Sequence, residues 1–123
     1  MKYATFVVVV CLAMVIPATA RQQNAVPSTP KSVADGGNLY NRSCASCHGK
    51  AGTGDGPAAK QLNPKPSNLV DAEWAHGTSD SEIFAVIRSG VPKTAMKGFA
   101  SKMTEREIWD ILNYLRSMGP APK

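Results

Sequence analysis

The run Cys44-Ala45-Ser46-Cys47-His48 constrains this chain more than any other stretch of it. Two thiols three residues apart, followed at once by an imidazole, gather three metal-reactive groups within about one helical turn. They use two of the three cysteines and one of the two histidines in the 123 residues. The start of the chain says where those thiols must survive. Lys2 precedes an apolar run from Tyr3 to Ile16, and Pro17-Ala18-Thr19-Ala20 closes it with the small residues of an export cleavage site. A membrane helix needs about 20 apolar residues, more than this run offers. Residues 1–20 are therefore expected to be a cleaved signal peptide, with an uncleaved anchor as the alternative. Cleavage takes 20 of 123 residues, leaving 103 in a single domain, and lowers the formal charge from +5 to +4 by removing Lys2. Cys11 leaves with it. Cys44 and Cys47 then stand alone in an oxidising compartment, where free thiols rarely persist, so they are crosslinked, metal-bound or attached to something.

Past the cleavage site, residues 21–32 are polar and carry Pro27 and Pro30, the composition of a flexible leader. The domain is expected over 33–119, with a short tail at 120–123. No alternating strand pattern is present, and three helices can be read. The first starts near Ser32, which has capping-box spacing to Asp35, and carries Gly36, Tyr40 and Cys44 on one face. Gly36 and Gly37 each cost a helix about 1 kcal/mol relative to Ala, a cost that close approach by another backbone would justify. The second, in Ser-Asp-Ser-Glu-Ile-Phe-Ala-Val-Ile-Arg-Ser-Gly (79–90), is capped by Ser79 and Glu82 and closed by Gly90. The third follows Thr104 and Glu107. It places Ile108, Ile111, Leu112 and Leu115 at i, i+3, i+4, i+7, sets Arg116 against the terminal dipole, and stops at Gly119-Pro120. A long Gly- and Pro-rich loop joins the first two helices, and such loops are usually functional or wrapped around something. Its GTGDG stretch (52–56) has no preceding strand and does not read as a phosphate cradle.

Three chemistries use this arrangement of cysteines. A redox dithiol would sit at a helix N-terminus within a βαβ pattern, whereas Cys44 ends a helix and strands are missing. A structural zinc site could enlist His76 as fourth ligand, but adjacent Cys47 and His48 make an awkward pair on one tetrahedral ion. The third is covalent haem attachment, for which CxxCH is the signature. Haem carries two vinyl groups on neighbouring pyrroles. Thiols three residues apart reach both, and the next residue, His48, can coordinate the iron. The cofactor also supplies the large apolar centre that three short helices lack.

These residues resemble the class I c-type cytochromes from about Ala34 to Ser117. GGNLYNRSCASCHG, GDGPAAKQLNPKPSNL, IRSGVPKTAMKGF and TEREIWDILNYLRSM follow in the family's order. The resemblance implies an all-α cytochrome c fold of three or more helices wrapped around one covalently attached haem c. The first and last helices would cross closely, with Gly36 and Tyr40 on one and Ile111 and Tyr114 on the other. It places the family's axial methionine at Met96. The residues themselves point there too, because Met96 sits in a loop between braced helices, whereas Met103 and Met118 bound the third helix. His76 is the other candidate for that position. In the family a proline carbonyl orients the ligating histidine, which makes Pro66 the best match and Pro57 the alternative. Trp74, Trp109 and Phe99 are expected around the cofactor.

A His/Met pair favours the ferrous state and fills both axial positions of the iron. The expectation is therefore a one-electron carrier in the periplasm, not an enzyme. A haem subunit of a dehydrogenase or reductase complex, or a ligand-binding haem protein with an open face, are the alternatives. Lys50, Lys93 and Lys97 flank the attachment and methionine loops and would steer an acidic redox partner. Scattered basic residues without interleaved aromatics, on an exported chain, exclude nucleic acid as the natural partner.

Overall fold

A computed structural model describes residues 24–71 and 74–119. The expected signal peptide, the first residues of the leader and the tail at 120–123 lie outside them. Four α-helices follow in order: α1 (Pro30–Ser43), α2 (Ala45–His48), α3 (Asp80–Ser89) and α4 (Glu105–Met118). A 3-10 turn at Ala59–Gln61 interrupts the long loop. Among the described residues there is no strand, and Gly90 and Lys97 form one isolated antiparallel bridge. The all-α expectation holds, with α2 and the 3-10 turn added to the three helices legible in the sequence. Both are too short to show a hydrophobic period.

Helix α1 begins two residues earlier than its sequence suggests. Thr29 is the N-cap, accepting from the Ser32 N–H at 3.1 Å, and Pro30 opens the helix where no N–H is needed. Asp35 pairs instead with Lys31 at 2.6 Å on the surface. Ser32 is 1 % exposed and faces α4, where its hydroxyl donates to Asp110 and accepts from Asn113 Nδ2 at 2.8 Å. The segment expected as a flexible leader is also tied down. Asn24 Nδ2 donates to Asn113 Oδ1 at 2.6 Å, Asn113 Nδ2 reaches the Val26 carbonyl at 3.2 Å, and the Val26 side chain is buried. The folded unit therefore includes residues from Asn24 onward. A polar leader could not announce this, because its anchor is a side chain almost ninety positions away.

Thr29→Ala removes only the cap and is expected to cost about 1 kcal/mol. Ser32→Ala leaves buried Asp110 and Asn113 each short of a partner and is expected to cost about 1–3 kcal/mol. Denaturant unfolding of both variants checks the order, and equal costs would return the cap to Ser32.

Helices α1 and α4 cross at Gly36. A Cβ there would fall 1.9 Å from the Asp110 carbonyl oxygen, so only glycine permits the approach. Tyr40, fully buried one turn on, meets Tyr114 with ring centroids 5.3 Å apart. Helix α4 buries Ile108, Ile111, Leu112 and Leu115 along the stripe its sequence predicts. Burial of each such side chain contributes roughly 1.5–3 kcal/mol. On the α3 side Trp109 stacks on Phe84 at 4.2 Å.

Candidate functional site

Four helices and two loops enclose a cavity of about 230 Å³. Helix α1 contributes Tyr40, α3 contributes Ile83, Val86 and Ile87, and α4 contributes Ile111 and Leu115. Cys44, Cys47 and His48 face it from one direction of the chain, and Met96 and Phe99 from another. No carboxylate is among its described lining residues.

The CxxCH run owes its shape to Cys44, which ends α1 and starts α2. The Gly-rich stretch then satisfies the carbonyls that so short a helix leaves open. Ala58 N–H donates to Ser46 O at 2.9 Å, Gly56 N–H to Cys47 O at 3.1 Å and Gly54 N–H to His48 O at 2.8 Å. A Cβ at Gly56 would fall 2.4 Å from the Ser46 carbonyl oxygen. These glycines serve to bring backbone against backbone. Tyr40 braces the same turn from α1, its hydroxyl donating to the Gly49 carbonyl at 2.7 Å, and burial pushes its pKa upward. Both cysteines are half-buried, and no disulfide joins them. Burial, with Cys47 adding to it, pushes the Cys44 thiol up to about 11, so it stays protonated at neutral pH and is a poor nucleophile toward disulfides.

His48 Nδ1 lies 3.0 Å from the carbonyl oxygen of Ser67. A carbonyl can only accept, so Nδ1 carries the proton and Nε2 keeps its lone pair. Burial holds the ring's pKa below its ordinary value, and the Ser67 bond offsets part of that. The neutral imidazole is the ligating form. The expectation that Pro66 supplies this carbonyl needs correcting by one residue. The Pro66 oxygen packs against Gly54, where a Cβ would fall 2.5 Å from it, and the ring's partner is the Ser67 oxygen. Pro66 lines the cavity itself, and Pro57 is exposed and does not.

Met96 lines the cavity, whereas Met103 and Met118 pack against the core without reaching it. Its loop is laced backbone to backbone. Val91 N–H donates to Met96 O at 2.9 Å, and Phe99 and Ala100 N–H donate to Ile87 and Arg88 carbonyls at 3.0 and 3.1 Å. Thr94 Oγ1 accepts from Met96 N–H at 3.1 Å. Gly90, at φ 78°, turns the chain there, and a Cβ would meet Met96 O at 2.6 Å. His76 also borders the cavity but is exposed. Trp74 and Phe99 line it as expected. Trp109 does not, because its ring is spent on Phe84. Of the lysines read as a patch, Lys97 reaches the rim together with Lys65, while Lys50 and Lys93 are exposed away from the lining. The donors suit a haem. Two thiols, an imidazole with its outer nitrogen occupied and a thioether share one apolar cavity.

A family model described as cytochrome c oxidase, cbb3-type, subunit III matches residues 31–115. The chain belongs to this family of c-type cytochromes. Such a cytochrome carries covalently bound haem c and transfers electrons. It is 28% identical over 98 residues to the cbb3-type cytochrome c oxidase subunit CcoP of Rubrivivax gelatinosus, covering 80% of this chain and 30% of that protein. It is likewise 28% identical over 108 residues to a nicotinate dehydrogenase subunit of Pseudomonas putida, covering 81% of this chain and 9% of that one. The cytochrome thus spans under a third of these relatives' lengths. Among solved structures, the KustC0563 c-type cytochrome superposes with a TM-score of 0.59 at 31% identity, over 70% of this chain and 99% of that one. A reducing HAO-like protein complex of Kuenenia stuttgartiensis superposes with a TM-score of 0.73 at 25% identity, over 77% and 47%. Among the described residues of the cytochrome, no helix is long and apolar enough to cross a membrane. Reading its sequence missed Ser67 and Tyr40's bond to Gly49. Only the first had a local signal, as the neighbour of Pro66.

Proposed function

We propose that this cytochrome is an exported monohaem carrier of single electrons. In this reading Cys44 and Cys47 would hold the haem by thioether bonds, and His48 and Met96 would ligate its iron. One observation carries the reading: Met96 shares a cavity with Cys44, Cys47 and His48, and the chain's other described methionines do not. When bound, haem c supplies an iron that gains and loses one electron. The protein's share is positional. Ser67 fixes the His48 ring and its tautomer, and the laced 90–98 loop holds Met96 in place. The aliphatic walls from α3 and α4 exclude water and favour the less charged ferrous state. With His48 and Met96 both committed to the iron, a bound haem would offer a substrate no free position, which supports a carrier of electrons over a catalyst. Lys65 and Lys97 at the rim suit an acidic partner. The export signal at residues 1–20 supports a periplasmic location.

A second reading is a haem subunit bound permanently within a larger redox enzyme. The matched relatives favour it, since two are named as subunits of an oxidase and a dehydrogenase. Native extracts separate the two by size: a free carrier elutes at the mass of the domain alone, a subunit with stoichiometric partners. The haem reading itself is tested on protein made with the maturation machinery. The expected result is a pyridine spectrum of thioether-bonded haem and a six-coordinate spectrum in both oxidation states. A colourless, correctly processed sample would end it.

A further inference from the structure

The electron-carrier reading uses one face of the cavity wall that no regular element supports. Trp74, Ala75, His76 and Gly77 line the cavity from an irregular segment before α3. Gly77 sits at φ 105°, so the wall turns sharply just before it joins the helix. What seats it is Arg116, in the last turn of α4 directly after Leu115, itself a lining residue.

The Arg116 guanidinium makes three kinds of contact at once. Its Nε and Nη2 donate to Asp80 Oδ1 at 3.0 and 2.8 Å, and Nη2 also donates to the Thr78 carbonyl. Its central carbon lies 5.7 Å from the centre of the Trp74 ring, within cation–π range. The Arg116 side chain is only 20 % exposed and that of Asp80 33 %, so water screens the pair less than it screens a surface ion pair. Thr78 is gripped from both ends. Its N–H donates to Glu82 Oε2 on α3 at 3.1 Å, while its carbonyl goes to α4 through Arg116. At the other end Trp74 Nε1 donates to Asp71 O at 3.1 Å. A fork of planar donors can serve Asp80 and Thr78 together, and lysine's single ammonium cannot match that geometry.

We propose that Arg116 is a positioning residue that keeps the 74–77 wall seated on the cavity, and that it thereby holds the reduction potential up by excluding water from the haem. This rests on the electron-carrier reading. Water beside the iron stabilises the more highly charged ferric state, so a loosened wall lowers the potential without exchanging a ligand.

The test uses the matured holoprotein with Arg116→Gln, which keeps length and polarity but loses charge and fork. Amide hydrogen exchange at residues 75–78 is expected to rise about tenfold, the sign of local opening. At a fixed potential, the ferrous-to-ferric ratio is expected to fall about threefold, a fraction of what losing an axial ligand does, with the axial-ligand absorption bands unchanged. Arg116→Lys should recover part of both effects. A drop in melting temperature alone, with exchange and potential at wild-type values, overturns the proposal. So does faster exchange with an unchanged potential. Should Arg116→Gln not fold, Asp80→Asn removes the ion pair while leaving Thr78 and Trp74 in contact, and the same shifts are expected at smaller size. The exchange measurement reads the wall whatever the axial ligands prove to be. A failure of the carrier reading shows instead in the wild-type spectrum.

Discussion

Met96→Ala is expected to open the iron and lower its reduction potential, giving ferrous protein that binds carbon monoxide at neutral pH where the wild type does not. The side chain reaches the cavity from a loop whose backbone is held independently, by Val91 N–H on Met96 O at 2.9 Å and by the turn at Gly90. Truncation therefore removes the thioether and little else. Axial ligation and its surroundings set haem potentials over a range of roughly 0.8 V, and a soft thioether favours ferrous iron, so a fall of ~0.1 V or more is expected. Met103→Ala is the control. Met103 packs against the core outside the cavity, and its loss is expected to leave the visible spectrum alone. Redox titration and carbon monoxide difference spectra check both. If Met103→Ala opens the iron and Met96→Ala does not, the axial assignment moves to Met103.

Gly36→Ala is expected to stop the chain from reaching a stable haem-bearing fold. Two effects oppose each other. Alanine in a helix interior is favoured over glycine by about 1 kcal/mol. Against that, the new Cβ would lie 1.9 Å from the Asp110 carbonyl oxygen and 2.4 Å from its carbon. Both atoms are backbone, so nothing rotates away and α1 and α4 must separate. Ordinary overpacking of a core costs about 1–3 kcal/mol, with side chains able to yield. This clash is expected to exceed that and to consume a large part of the roughly 5–15 kcal/mol that stabilises a domain. Gly37→Ala supplies the comparison. Its Cβ would meet the Tyr114 ring at 3.0 Å, a side chain that can shift, so a much smaller loss is expected. Haem incorporation and denaturant midpoints read both variants, and a Gly36→Ala protein as stable as the wild type would remove the close crossing from the account.

The elements that sequence reading found were those whose signals are local. CxxCH declares its chemistry in five residues. Helices α3 and α4 start at their capping boxes, Ser79 with Glu82 and Thr104 with Glu107, because a cap and its partner lie three residues apart. The cost of Gly36 and Gly37 pointed to a close approach on α1, and the family resemblance put it at Gly36. Misreadings came where two near-equal local options exist. Thr29 and Ser32 can both cap α1, and the choice went to Thr29 because Ser32 is drawn inward by Asp110 and Asn113, far along the chain. Pro66 and Ser67 both carry carbonyls beside His48. The hydrogen bond goes to Ser67, a choice made by how the loop packs on the ring.

The residue types and their spacing determined that this chain is a haem-attaching, all-helical one, since thiol reach, capping and helical periodicity all act within a few residues. Tertiary structure alone decided which carbonyl orients His48, and that the leader and Arg116 are fastened across the fold. Those outcomes depend on groups up to 89 positions apart, as in the Asn24–Asn113 bond. No spacing rule spans such a distance; only the packed helices bring the groups together.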